Sequence, residues 1–298
     1  MSTAAHAHDS DKYYIPHGSN LPFFGSIALF VLMIGAAMTL LGAGGGNLVL
    51  TAGFLLLFTM FFLWFGKVIE ENQAGIYNMQ VDRSFRMGMT WFIISEVMFF
   101  AAFFGALFYV RQLSLPWIGG EGAKGVTGLL YPNYDFSWPM TANGPAALGP
   151  LEGGEFEIMH PWGLPAINTA LLLTSGVTLT IAHHALKDGK RGVLNLFLAL
   201  TFLLGFIFLG VQAFEYHHAY AELGLQLGTG VYGSTFFMLT GFHGLHVTVG
   251  AIMLVVIWLR CVKGHFTPER HFAFEAVAWY WHFVDVVWLG LFVFVYWL

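Results

Sequence analysis

A single carboxylate lies inside one of the most apolar stretches of the sequence. The segment Trp91–Val110 reads WFIISEVMFFAAFFGALFYV, and Glu96 is its only charged residue. At about 1.5 Å of rise per residue, a helix of about 20 residues crosses a bilayer core of about 30 Å. An acid inside such a helix is costly, so Glu96 is a candidate functional residue. Its neighbours three and four positions away along a helix are all apolar, so we expect its partner to come from another helix or from water.

The charge of Glu96 depends on what it faces. Protonating an ordinary glutamate at pH 7 costs about 3.7 kcal/mol. Burying its charge in the bilayer costs from about 2.5 kcal/mol to more than 10 kcal/mol. We therefore expect a Glu96 that faces lipid to be neutral, whereas one that faces water or a cation could stay charged.

Two histidines share one helix face in a later apolar stretch. His243 and His246 are three residues apart in GFHGLHV. Such a pair could ligate a metal or a haem. The alternative is a hydrogen-bonded pair that closes a polar helix interface, helped by the small residues around it. We favour the second interpretation and expect no metal site, because no cysteine or carboxylate joins the pair at ligand spacing.

The last apolar stretch, HFAFEAVAWYWHFVDVVW, holds two more pairs at helical spacing. His271 and Glu275 are four residues apart, and His282 and Asp285 are three apart. Each pair could form locally and close a polar interface between helices. The alternative for both pairs is a proton or ion path across the membrane.

The composition predicts a polytopic membrane protein. Of the 298 residues, 57% are hydrophobic and only 10% are charged, which excludes an ordinary soluble domain. No basic patch suggests nucleic acid. The only cysteine, Cys261, excludes an internal disulfide. The first twenty residues are polar and lack the features of a cleaved signal peptide, so we expect the first span to act as the membrane signal.

The pattern of apolar stretches predicts an all-α fold with seven transmembrane helices. The expected organisation is a polar tail at residues 1–22, a helical hairpin at 23–66, an inner loop at 67–84, and a five-helix bundle at 85–298 that contains a long outer loop at 111–161. The expected spans are Phe23–Ala43, Leu48–Gly66, Phe85–Val110, Trp162–Leu186, Val193–Tyr216, Tyr232–Arg260 and His271–Leu298.

The basic residues predict the orientation. With the N-terminus inside, ten of the twelve lysines and arginines lie in inner segments, and only Arg111 and Lys124 lie outside. This bias is a strong positive-inside signal, and seven spans then place the C-terminus outside. The polar N-terminus suits a bacterial inner membrane, with the N-terminus cytoplasmic and the C-terminus periplasmic.

Several of these stretches resemble subunit III of cytochrome c oxidase, the haem-copper terminal oxidase. The resemblance runs from about Lys67 to the C-terminus and is most specific from Gly230 onward. It is carried by FIISEVMFF around Glu96, NTALLLTSG at Asn168–Gly176, AHHAL at Ala182–Leu186, FEYHHA at Phe214–Ala219, GVYGSTFF and GFHGLHV at Gly230–Val247, and the final stretch at His271–Trp288.

The resemblance implies a function that the spacing did not show. A subunit III carries no haem or copper, and it packs against the catalytic subunit I in a complex that also contains the copper-bearing subunit II and receives electrons from cytochrome c. It implies a phospholipid-holding cleft between the two-helix hairpin and the five-helix bundle. It also implies that Glu96 helps to sustain proton uptake by subunit I. We expect the phospholipid headgroups at Arg260, Lys263 and His265.

Two functions therefore stand against each other. The first is a non-redox subunit of a respiratory oxidase, in which the complex and not this chain is the enzyme. The second is a stand-alone proton-coupled transporter that uses Glu96, Glu275 and Asp285 as its relay. The resemblance favours the first.

Overall fold

The computed structural model describes residues 18–130, 138–139 and 156–298, and the regular structure of these residues is helical. Seven helical segments among them are long and apolar enough to cross a membrane, which confirms the predicted fold class and number of spans. The helices are α1 (Leu21–Leu40), α2 (Gly46–Gln73), α3 (Met79–Tyr109), the short α4 (Leu115–Ile118), α5 (Leu164–Lys187), α6 (Arg191–Ala221), α7 (Gly230–Val262) and α8 (Phe272–Leu291). A π-helical turn, Val110–Ser114, joins α3 to α4, and another, Phe292–Trp297, extends α8.

Several helices extend beyond the apolar stretches that predicted them. The inner loop expected at 67–84 is mostly helical, because α2 continues to Gln73 and α3 begins at Met79. Lysine, glutamate and glutamine are good helix formers, so a helix can continue after its apolar run has ended. The chain turns at Gly75, whose φ of 70° is readily adopted only by glycine.

The outer loop expected at 111–161 also begins with helical structure. The third span continues to Ile118, and a 3-10 helix follows at Gly122–Leu129. Residues 131–137 and 140–155 of this loop, and residues 1–17 of the N-terminal tail, lie outside the described residues.

The chain divides into two compact units, Met1–Met87 and Gly88–Leu298. In the first unit, α1 and α2 pack closely because glycines line their contact. A Cβ on Gly35 would lie 2.3 Å from the backbone nitrogen of Leu50, and a Cβ on Gly53 would lie 2.5 Å from the Cα of Leu32. Small residues of this kind let helix backbones approach closely in a membrane.

In the second unit, the core is built around Trp281 of α8. Its ring is fully buried, and two glycines make room for it. A Cβ on Gly205 of α6 would lie 2.6 Å from the ring, and a Cβ on Gly250 of α7 would lie 2.8 Å from it. The indole therefore occupies space that only glycine leaves open on these two helices.

Hydrogen bonds fix α8 against α5. The indole nitrogen of Trp281 donates to the hydroxyl of Ser175, and that of Trp288 donates to the hydroxyl of Thr169, both at 2.9 Å. A buried indole N–H needs an acceptor, so these two bonds set the register of α8 against α5 and hence the position of its titratable residues.

Candidate functional site

The carboxylate of Glu96 on α3 faces His246 on α7. Its Oε2 lies 2.9 Å from Nε2 of the imidazole. The side chains are 21% and 12% exposed, respectively. The partner of Glu96 thus comes from another helix, one of the two sources that the sequence allowed.

Aromatic rings surround the imidazole of His246. The centre of its ring lies 4.9 Å from that of Phe100, 5.9 Å from that of Phe99 and 6.3 Å from that of Tyr280. These rings keep the surroundings apolar, and a hydrogen bond is electrostatically stronger there than in water.

The second nitrogen of His246 limits how many protons the pair can hold. Nδ1 lies 2.6 Å from the backbone carbonyl oxygen of Phe242, and a carbonyl only accepts, so Nδ1 carries a hydrogen. The contact between Nε2 and Glu96 then needs one more proton. Either Nε2 carries it, as an imidazolium facing a carboxylate, or Oε2 carries it, as a carboxylic acid facing a neutral imidazole.

Both forms of this pair have the same net charge. A proton can therefore pass between Oε2 of Glu96 and Nε2 of His246, 2.9 Å apart, without changing the net charge of the pair. Loss of that proton would leave a carboxylate opposite the lone pair of Nε2. The pair is thus suited to holding one proton and moving it over a short distance.

His243 does not act together with His246. It is fully buried, and its Nε2 lies 3.2 Å from the backbone carbonyl oxygen of Val284 on α8. Its ring packs against Trp288 and Phe208. The two histidines therefore serve different helix contacts, His243 with α8 and His246 with α3.

A second titratable cluster lies where α5 ends and α8 begins. Nε2 of His271 lies 3.2 Å from Oε1 of Glu275, and Nε2 of His183 lies 3.8 Å from the same oxygen. One ligand atom from each of the three residues lies within 4.8 Å of the other two, so the group could hold a metal ion. The sequence led us to expect no metal site, because spacing along one helix could not bring His183 together with His271 and Glu275.

The other pair of α8 lies in a groove against α5. Nδ1 of His282 is 3.4 Å from Oδ2 of Asp285, and 45% of the His282 side chain is exposed. Gly176 makes room for the carboxylate, since a Cβ there would lie 2.5 Å from Oδ2. Oδ1 of Asp285 is buried and has no hydrogen-bond partner among the described residues.

Sequence reasoning missed a fourth acid, Glu215. We did not single out this residue as a candidate from the sequence, but Glu215 is fully buried. The hydroxyl of Tyr296 donates to its Oε1 at 2.6 Å. The spacing along α6 could have indicated this burial, because Glu215 follows the buried residues Phe208 and Gln212 at helical spacing.

The basic residues at the end of α7 differ in their access to lipid. Arg260 is only 8% exposed, and its guanidinium lies 4.4 Å from the ring centre of Phe266. Lys263 is exposed. Partial burial, together with the positive charges of Arg260 and Lys263, lowers the pKa of His265, so this histidine adds little positive charge near neutral pH. Of the three predicted headgroup contacts, Lys263 has the most open access.

Comparison with known proteins identifies the family. The sequence profile described as cytochrome c oxidase subunit III matches residues 11–120 and 146–298. The chain is 40% identical over 292 residues to cytochrome c oxidase subunit 3 of Carassius auratus, with 98% of each chain covered. It is 41% identical over 298 residues to that of Oncorhynchus clarkii, again with 98% of each chain covered. The chain therefore belongs to the cytochrome c oxidase subunit III family, a component of a multisubunit respiratory oxidase.

Proposed function

We propose that this chain is the non-redox subunit III of a respiratory cytochrome c oxidase, and that it stabilises the catalytic subunit I and supports its proton uptake. The complex reduces oxygen to water and couples the reaction to proton translocation. Haem and copper belong to subunits I and II, and cytochrome c is the electron donor. The observation that carries the proposal is the contact of 2.9 Å between Glu96 and His246.

The pair supports proton uptake by holding a proton ready inside an apolar region. Because either partner can carry the shared proton, the site can receive it on one atom and release it from the other. The aromatic rings around His246 limit the access of water, which slows uncontrolled exchange. A group of this kind favours supply of protons without itself taking part in the redox chemistry.

The test is Glu96→Gln in the assembled oxidase. Glutamine keeps the size of the side chain and can donate a hydrogen bond to Nε2 of His246, but it cannot transfer a proton. We expect lower proton uptake or a shorter lifetime under turnover, with unchanged haem spectra. Glu222→Gln is the control, because Glu222 also pairs with a histidine, at 3.1 Å, but 69% of its side chain is exposed.

Two outcomes would contradict this role for Glu96. Loss of the haem signal in Glu96→Gln would mean that the residue is needed for assembly. Unchanged proton uptake together with an unchanged lifetime under turnover would mean that the membrane interior merely tolerates this acid.

We also propose that the N-terminus lies on the side from which protons are taken up and that the C-terminus lies on the opposite side. The asymmetry of lysine and arginine supports this orientation. In a background without the native cysteine, Leu227→Cys and Glu269→Cys should react with impermeant thiol reagents from opposite faces, Glu269→Cys from the inner one. Labelling of both from the same face would exclude this topology.

Bound phospholipid is a further part of the proposal. Lys263 is exposed and offers a charge to an anionic headgroup at the end of α7. We expect Lys263→Gln to lower the amount of anionic phospholipid that co-purifies with the complex, measured by mass spectrometry. Arg260→Gln should have less effect on lipid content, because the arginine is buried against Phe266.

The stand-alone transporter has less support. Its relay would need contacts between Glu96, Glu275 and Asp285, but each acid contacts different histidines. Purification of the native chain without any redox-active subunit would revive this alternative.

A further inference from the structure

Three potential metal ligands converge at one end of the second unit. His183 lies near the C-terminal end of α5, while His271 precedes α8 and Glu275 lies in its first turn. Their side chains are 23%, 8% and 14% exposed, respectively. The three residues come from two helices that are far apart in the sequence, so the cluster is a product of the fold.

The orientation of His271 points a lone pair into this cluster. Its Nδ1 lies 3.1 Å from the backbone carbonyl oxygen of Thr267, which only accepts, so Nδ1 carries the hydrogen. In the neutral ring, Nε2 then presents its lone pair to Oε1 of Glu275 at 3.2 Å. A metal-ligating histidine commonly has its other ring nitrogen fixed by such a bond to a backbone carbonyl.

The two histidines of the cluster turn buried ring nitrogens toward the carboxylate. Nε2 of His183 and Nε2 of His271 are both buried and have no hydrogen-bond partner in the part of the chain that the structure describes. A proton on His271 would satisfy its contact with Glu275 but would leave Nε2 of His183 without a partner. A metal ion can accept all three atoms at once.

We infer that His183, His271 and Glu275 form a divalent metal site, with Zn²⁺ as its best match. Two imidazoles and one carboxylate are a known zinc ligand set that leaves a fourth position for water. Tetrahedral bonds of about 2.0–2.1 Å place the ligand atoms about 3.3 Å apart. The two distances of 3.2 and 3.8 Å require only small side-chain movements.

The ligand chemistry also separates zinc from other common ions. Magnesium and calcium prefer oxygen ligands, whereas this site offers two nitrogens. Copper(I) prefers sulfur, but the only cysteine, Cys261, lies outside the group. The carboxylate of Glu275 supplies one negative charge. This charge offsets the repulsion that the nearby Lys187 would exert on a bound cation.

The consequence is a metal clamp between two helix ends. One ion would tie the C-terminal end of α5 to the first turn of α8, in addition to the tryptophan hydrogen bonds farther along the same two helices. The site does not depend on the role that we propose for Glu96, and its test does not measure proton uptake.

The experiment measures zinc in the purified oxidase complex that contains this chain. The complex is stripped with a chelator, dialysed against zinc-containing buffer and analysed by elemental mass spectrometry. We expect the wild type to hold one more zinc ion per complex than Glu275→Gln or His183→Ala. His218→Ala is the matched control, because His218 also faces a glutamate four residues later, at 3.1 Å, but does not belong to the three-ligand group.

Equal zinc content in the wild type and both cluster variants would overturn the site, as would an equal loss in His218→Ala. An anomalous difference map of the zinc-soaked wild-type complex, measured at the zinc absorption edge, provides a test that needs no variant. A peak bonded to the two Nε2 atoms and Oε1 supports the site. Absence of a peak there overturns it, whatever the variants do.

Discussion

The contact between Glu96 and His246 predicts a measurable coupling energy. In a double-mutant cycle, Glu96→Ala and His246→Ala are made separately and together, and the free energy of unfolding is measured in mixed micelles. If the two side chains interact as they do in the structure, the double variant loses less stability than the sum of the two single variants.

The structure suggests the size of this coupling. A hydrogen bond to a charged group contributes about 1.5–3 kcal/mol in proteins generally, whereas polar contacts between helices in a membrane protein average about 0.6 kcal/mol and reach about 1.7. His246 is already held by Phe242 at 2.6 Å and packed against aromatic rings, so little side-chain freedom is lost when the pair forms. We therefore expect a coupling of about 1–2 kcal/mol, near the upper end of the membrane values.

The exposed pair of His218 and Glu222 serves as the control cycle. A pair of this spacing on a helix surface contributes about 0.3–0.5 kcal/mol. A coupling between Glu96 and His246 that is no larger than that of the control would refute the reasoning. It would mean that the contact forms without stabilising the packing of α3 on α7.

Two further predictions concern packing and chemical labelling. Gly250→Ala should lower the free energy of unfolding by about 1–3 kcal/mol, because the added Cβ would lie 2.8 Å from the ring of Trp281. Gly210→Ala is the control and should be neutral or slightly stabilising, because no atom lies within 4 Å of the added Cβ. Equal losses of stability in the two variants would show that Trp281 adjusts its position. A hydrophobic carbodiimide, which reacts with carboxyl groups in apolar surroundings, should label Glu96 in preference to the exposed Glu70 in peptide mass spectra. Equal labelling would show that Glu96 is as accessible to water as a surface acid.

The sequence predicted the number of spans because length and hydropathy suffice for that purpose. An apolar stretch of about 20 residues has few alternatives to a membrane helix. The helix ends were predicted less well, as α2 and α3 show. Hydropathy reports which residues avoid water, whereas the end of a helix depends on local backbone preferences, such as the positive φ of Gly75.

The partners of the titratable residues could not be predicted in the same way. Spacing along a helix places His243 and His246 near one face, but the rotation of α7 against its neighbours decides that one contacts α8 and the other α3. Spacing along a helix also could not reveal that His183 joins His271 and Glu275, since this contact links α5 to α8. Such contacts depend on tertiary packing, which a single sequence does not reveal.

Glu96 and Glu275 show how similar local chemistry can serve different cations. Each faces the Nε2 of a histidine whose Nδ1 is bound to the carbonyl four residues earlier, Phe242 for His246 and Thr267 for His271. Aromatic rings pack against His246, and among the described residues no third ligand joins the pair, so a proton shared across 2.9 Å suits it. Around Glu275, a third ligand atom comes from His183, and three converging atoms suit a metal ion. The side chain that completes each cluster, rather than the histidine–carboxylate pair itself, therefore determines which cation the site can hold.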